Sequence, residues 1–161
     1  MSLSAAVITV SDSATAGTRE DLSGPAVVAR LRELGYLVED PRLVPDERPR
    51  IADCIRTLAD SGRFQAIFTT GGTGIALRDV TPEATRDAID REIPGVAEVM
   101  RAEGRKLVRT APLSRALAGS RGAVLVVNLP GSPRGAVESL DAIVELVPHI
   151  ADLLRGKTDH S

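Results

Sequence analysis

The 161-residue chain has no tryptophan, one tyrosine and two phenylalanines, so aromatic residues make up only 2% of it. Single-stranded nucleic acid is held by bases stacked on aromatic side chains, and this chain is poorly supplied with them. Charge points the same way. Twenty Lys and Arg against 22 Asp and Glu leave a net charge of -2, which gives no general pull toward a polyanion, although a local basic patch stays open. The one cysteine, Cys54, cannot form an intramolecular disulfide, and with two histidines there is no zinc-ligand cluster. A reducing cytoplasm is the expected setting. No apolar run reaches the ~18 residues of a membrane span, and no basic segment leading into a long apolar one opens the chain as in a signal peptide. Neither nucleic acid nor membrane is an expected partner.

What is present is the ordinary mix of a globular protein: 43% hydrophobic and 26% charged residues. The length fits one domain, and at this size roughly 70% of the unfolded chain's surface can be buried. The spacing predicts strands over Ala5–Val10, Leu37–Val44, Ala66–Thr70 and Ala123–Leu129. The first and last are nearly continuous apolar runs, as in strands covered on both faces. Pro41 interrupts the second and argues for an edge position. Helices are predicted over Ser23–Glu33 (Val27, Leu31 and Leu34 inward), Pro49–Asp60 (Ile51, Ile55 and Leu58 inward), from Thr81, over Pro94–Glu103 ending at Gly104, and from Ser132-Pro133. Pro148 either kinks that last helix or starts a final one through Leu154. At Thr81-Pro82-Glu83 the expected cap is Thr81.

Strands alternating with helices predict a three-layer α/β/α fold around a mostly parallel sheet, one domain over residues 3–155 with a frayed tail over 156–161. Ligands in such sheets bind at the carboxyl ends of strands.

The segments leaving those ends carry the candidate chemistry. Thr70-Gly71-Gly72-Thr73-Gly74 puts three glycines in four residues directly after a buried strand. Glycines permit positive φ and close approach of a ligand to backbone N–H groups, which suits a phosphate. The alternative is a plain strand-to-helix turn. It is neither a Walker A loop nor GxGxxG. Asp79 follows five residues on, either as a solvated loop acid or at the site, where a carboxylate beside a phosphate cradle repels its ligand unless a cation such as Mg²⁺ bridges them. Asp46, in Val44-Pro45-Asp46-Glu47, could join Asp79 at one metal or merely serve a turn. Ser11 and Asp12 follow the first strand in a hydroxyl-rich loop, and Asn128, Pro130 and Gly131 follow the last; each could hold an anion or simply start a helix. Ser114 and Arg115 pair a hydroxyl with a guanidinium suited to phosphate oxygens, although a surface role explains Arg115 equally well. His149 lies in an apolar helical pattern, His160 in the tail, and Cys54 reads as a small core residue.

Together these segments resemble the molybdopterin adenylyltransferases (MogA/MoaB-like proteins). The resemblance spans Ala6 to about Leu154 and rests on the order and spacing of Ser11-Asp12 with Gly17 and Asp21, Pro45-Asp46-Glu47, Thr70–Gly74, Asp79-Val80-Thr81-Pro82-Glu83, Pro94-Gly95 with Glu98 and Arg101, Leu113-Ser114-Arg115 and Asn128–Gly131. It implies a three-layer α/β fold assembled as a homotrimer. It implies Mg²⁺-dependent transfer of AMP from ATP to the terminal phosphate of molybdopterin, with hand-over of the product to a molybdenum insertase. It implies catalytic, metal-holding roles for Asp46 and Asp79. Thr70, Gly71, Gly72, Thr73 and Gly74, with Ser11, Asp12, Asn128, Pro130 and Gly131, fall to the nucleotide and its phosphates, and Ser114 and Arg115 to the pterin and its phosphate. Two other readings stay open: a nucleotide pyrophosphate hydrolase of related fold, similar to the amino-terminal domain of competence-damage-inducible proteins, and a non-catalytic molybdopterin-binding or scaffold protein.

Overall fold

Strand β1 (Ser4–Val10) alternates its side chains between two hydrophobic layers, because both faces of the sheet at that point are covered. The computed structural model describes residues 2–158. After β1 come α1 (Asp12–Thr15), α2 (Ser23–Glu33), β2 (Leu37–Val38), β3 (Arg42–Val44), α3 (Arg48–Asp60) and β4 (Ala66–Thr70). The second half runs α4 (Thr81–Ala88), β5 (Arg91–Glu92), α5 (Pro94–Leu107), β6 (Ala118–Arg121), β7 (Val124–Leu129), α6 (Pro133–Ile143) and α7 (Val147–Leu154), with 3₁₀ turns at Ala111–Leu113 and Val144–Leu146.

The sheet order is β2-β1-β4-β7-β6-β5, and β3 also pairs with β1. β1 pairs in parallel with β2, β3 and β4, and β4 with β7, whereas β6 pairs antiparallel with both β7 and β5. Ala5, Val7, Ala66, Phe68, Leu125 and Val127 face α2, α5, α6 and α7. Ala6, Ile8, Ile67, Val124 and Val126 face α3 and α4. The result is the three-layer α/β/α arrangement that the alternation predicts.

Several expectations are corrected in detail. The predicted strand Leu37–Val44 is two short strands on the same edge, parted at the segment that contains Pro41. Strands β5 and β6, with the antiparallel β6–β7 hairpin, are not among the predicted elements. Helix α5 does not stop at Gly104 but runs through it to Leu107. A β-carbon at Gly104 would lie 3.1 Å from the Ala111 Cβ, so the glycine serves close packing of the 3₁₀ turn against α5. Leu34 is exposed beyond the end of α2. Pro148 lies in the first turn of α7, which therefore begins a new helix. Gly156, Lys157 and Thr158 follow α7 without regular structure, while 159–161, with His160, lie outside the described residues. His149 is exposed, not part of the apolar face. Among the described residues no helix is long and apolar enough to cross a membrane.

Candidate active site

The carboxyl ends of β1, β4 and β7 come together at the glycine segment. Gly71 and Gly72 both have positive φ, +95° and +70°. A β-carbon at Gly71 would lie 2.4 Å from the Val10 carbonyl oxygen, so the chain leaving β4 crosses tightly over the end of β1. The Gly71 N–H donates to the Leu129 carbonyl at the end of β7 (3.1 Å). The three strand ends are thus locked side by side.

Asp46 follows β3 and is held by reciprocal hydrogen bonds with Asp12, which opens α1. The Asp12 N–H donates to Asp46 Oδ2 and the Asp46 N–H donates to Asp12 Oδ1, each at 2.9 Å. Asp12 Oδ2 accepts from Arg78 Nε at 2.8 Å. The Asp46 amide and Arg78 hold the Asp12 carboxyl below the usual carboxylate range. Asp46 is the opposite case. Burial pushes its carboxyl up, against the pull of the Asp12 amide, and the charges of Asp12 and Asp79 add to the upward push. Asp79 therefore lies within electrostatic reach of Asp46, and its Oδ2 accepts from the Ala76 N–H at 3.0 Å. Among the described residues the remaining oxygen of each carboxylate, Oδ1 in both, takes no hydrogen bond.

A third oxygen stands free beside them. Thr81 does not act as the cap of α4; Val80 holds that position and Thr81 is the first helical residue. Its N–H donates to the Gly72 carbonyl (3.1 Å), which draws the residue under the glycine segment. Its Oγ1 is buried there with no partner. Thr81 Oγ1 and Asp46 Oδ1 both lie within 3.2 Å of the point a β-carbon on Gly72 would occupy, and Asp79 Oδ2 lies 2.8 Å from the equivalent point on Gly74. Two carboxylates and an orphaned hydroxyl thus border one short glycine arc. Thr81 belongs to one of the segments that carry the resemblance, but its plain helix-start reading gave it no role at the site.

Two cavities flank the arc. One, of about 430 Å³, is bounded by Thr73, Gly74, Ser114 and Pro130, with Met100 and Leu113 supplying apolar wall. The other, of about 410 Å³, is bounded by Ser11, Arg19, Asp21, Ser23, Gly71 and Gly131. Ser132 borders both. Asp46, Gly72, Asp79 and Thr81 line neither cavity.

Residues 6–150 match the family described as "Probable molybdopterin binding domain". The chain belongs to this family. It is 42% identical over 152 residues to a molybdopterin adenylyltransferase of Helicobacter pylori, covering 93% of this chain and 86% of that protein. It is 37% identical over 164 residues to the molybdopterin adenylyltransferase of Escherichia coli K12, covering 93% and 84%. Among solved structures, the molybdopterin biosynthesis enzyme MoaB of Thermus thermophilus superposes with a TM-score of 0.89 at 46% identity, covering 96% of this chain and 98% of that one.

Within this molybdopterin-binding fold, the residues singled out in the sequence divide into those that border open space and those that do not. Ser11, Gly71, Thr73, Gly74, Ser114, Pro130 and Gly131 line one of the two cavities. Ser114 Oγ also accepts from the Ala116 N–H at 3.3 Å. Thr70 is fully buried, its hydroxyl 2.9 Å from Ser23 Oγ. Asp12 serves as the anchor of Asp46. Arg115 lines neither cavity; its guanidinium is taken up by protein groups. Asn128 is likewise sealed inside. Its Nδ2 donates to the Thr69 and Thr85 hydroxyls (3.0 and 2.9 Å) and its Oδ1 accepts from the Leu117 N–H (3.2 Å). No direct contact with a ligand is available to that side chain. It welds β4, α4 and the approach to β6 beneath the site. Asn128→Leu, similar in volume, strands one N–H and two hydroxyls in the core. We expect a loss of at least about 3 kcal/mol in the unfolding free energy from urea titration, since each of the three unsatisfied buried groups costs about 1–3 kcal/mol.

Proposed function

We propose that this protein transfers AMP from ATP to the terminal phosphate of molybdopterin, giving adenylylated molybdopterin and pyrophosphate. The observation that carries this reading is the pair of unengaged oxygens, Asp46 Oδ1 and Thr81 Oγ1, beside Gly72, with the Asp79 carboxylate beside Gly74 on the same glycine arc. The names and extent of the relatives support the same assignment.

The nucleophile is a phosphate oxygen of the pterin substrate, so no protein nucleophile is needed. That oxygen forms a bond to the α-phosphorus of ATP as the bond to the pyrophosphate oxygen breaks. The chain's task is to bring two anions together and hold the α-phosphate in line. The backbone of Gly71–Gly74, free of side chains, lets phosphate oxygens approach closely. Asp46 and Asp79 would hold Mg²⁺. No group of three or more His, Cys, Asp or Glu gathers for a metal among the described residues. A two-carboxylate set fits Mg²⁺ nonetheless, because this ion characteristically takes one or two carboxylates and completes its shell with water and substrate phosphates. When bound, it would neutralise charge at the α-phosphate and the leaving pyrophosphate. In the same reading the protein is a cytoplasmic homotrimer that passes its product to a molybdenum insertase.

The test is a chromatographic assay with purified protein, Mg-ATP and molybdopterin. We expect a pterin–AMP adduct and pyrophosphate in equal amounts, and no ATP consumption when the pterin is omitted. Nucleotide consumed without an adduct would transfer the assignment to a pyrophosphate hydrolase. Tight pterin binding without turnover would make it a binding protein.

A further inference from the structure

Arg115 follows the 3₁₀ turn Ala111–Leu113 and reaches back across the mouth of the glycine segment. Its backbone N–H donates to the Thr73 carbonyl at 2.7 Å. Its Nε donates to the Gly74 carbonyl (2.7 Å) and one terminal nitrogen to the Asp79 carbonyl (2.7 Å). The other terminal nitrogen lies 2.8 and 2.9 Å from the two carboxylate oxygens of Glu83, in the first turn of α4. Between Gly74 and Asp79 the chain makes an excursion through Ile75, Ala76, Leu77 and Arg78, all exposed, Leu77 completely so. The guanidinium therefore grips both ends of this excursion and ties them to α4. On the far side Arg78 pins the excursion to Asp12.

We infer that Arg115 is a positioning residue: it closes the Gly74–Asp79 loop and so sets the Asp79 carboxylate against the glycine arc, and it does not hold the phosphate of the pterin. The inference rests on the reading of Asp79 as a carboxylate of the reactive site. The planar fork of arginine can bond two carbonyls and a carboxylate in different directions at once, which the point charge of lysine cannot. A phosphate-binding role depends on the positive charge, which Arg115→Lys keeps in part and Arg115→Gln removes. The two roles thus differ in what Arg115→Lys rescues.

The experiment uses Arg115→Lys and Arg115→Gln with two independent readouts. The first is limited trypsin digestion followed by mass spectrometry, scoring cleavage after Arg78. The second is equilibrium binding of molybdopterin, followed by its own fluorescence, together with kcat. We expect cleavage after Arg78 to quicken at least tenfold in both variants and kcat to fall at least tenfold. The molybdopterin Kd should move by less than twofold. A tenfold weaker molybdopterin affinity in either variant overturns the inference, and so does a cleavage rate at Arg78 that stays at the parent value. If Arg115→Gln is cut throughout the chain, Arg115→Lys decides. It keeps the positive charge but cannot bond both carbonyls and Glu83 at once, and must still quicken cleavage after Arg78. The trypsin readout needs no turnover, so failure of the clamp is separable from failure of the Asp79 reading, which Asp79→Asn kinetics tests alone.

Discussion

Replacing Asp79 with Asn is expected to lower kcat for adenylyl transfer by about 10³-fold, roughly 4 kcal/mol of barrier, while the protein folds as before. The substitution is nearly isosteric. The asparagine carbonyl can still accept the Ala76 N–H that Asp79 Oδ2 accepts now, so the loop keeps its internal bond. What is lost is the charge and the unengaged second oxygen, replaced by an amide that donates and cannot hold a cation. Asp46→Asn follows the same logic: its carbonyl keeps the Asp12 N–H and its NH₂ takes the place of Oδ1 beside Gly72. Both variants should show the parent's far-ultraviolet circular dichroism and an unfolding free energy within about 1 kcal/mol of it, because each keeps the backbone hydrogen bond that its carboxylate accepts now. The loss should be mostly in kcat, because bringing the α-phosphate and pyrophosphate to their reacting charge is what the acid pair serves. Turnover within twofold of the parent in a folded Asp79→Asn protein would remove the acid pair from the mechanism and leave the glycine arc as a binding surface only.

How much of this was legible beforehand depends on how local the cause was. The parallel half of the sheet was written in runs such as Ala66–Thr70 and Val124–Leu129, whose apolar continuity has one explanation, burial on both faces. The antiparallel half was not. β6 reads Ala-Gly-Ser-Arg, and its strand state comes from pairing with β7 rather than from its own composition. A β-carbon at Gly119 would meet the Arg91 carbonyl oxygen at 2.3 Å, so this glycine is there for β5, a partner visible only in the fold. The site divides the same way. The glycine segment and the two acids stand out by residue type and by their place after strands. Their supports do not. Arg78 reaching Asp12, Asn128 sealed among threonines and Arg115 turned toward Glu83 are long-range pairings, separated by between 32 and 66 residues. A residue-type argument assigns Asn128 and Arg115 to the ligand, because it cannot see the protein groups that already occupy them.

Gly72 offers a way to separate conformation from space at the site. At φ +70° it occupies the left-handed region that costs a side-chain-bearing residue about 1–2 kcal/mol. Gly62, just beyond α3, has nearly the same φ, +74°, and nothing within 4 Å of where a β-carbon would be. Gly62→Ala therefore carries the backbone strain alone. We expect it to lower stability by about 1–2 kcal/mol and to leave adenylyl transfer unchanged. Gly72→Ala carries the same strain and a collision as well: the new methyl would sit 2.3 Å from Thr81 Oγ1 and 3.2 Å from Asp46 Oδ1. Restoring ordinary contact requires a shift of about 1 Å at the start of α4 or in Asp46, and a misplacement of that size can cost about 10²-fold in rate. The methyl also fills the space beside the two free oxygens that the proposed chemistry uses. The expected outcome is a kcat lowered at least about 100-fold in Gly72→Ala, with a urea midpoint below that of Gly62→Ala. If the two variants lose equal stability and both keep full turnover, the space over Gly72 is not used in the reaction, and the site must be sought in the cavities on either side.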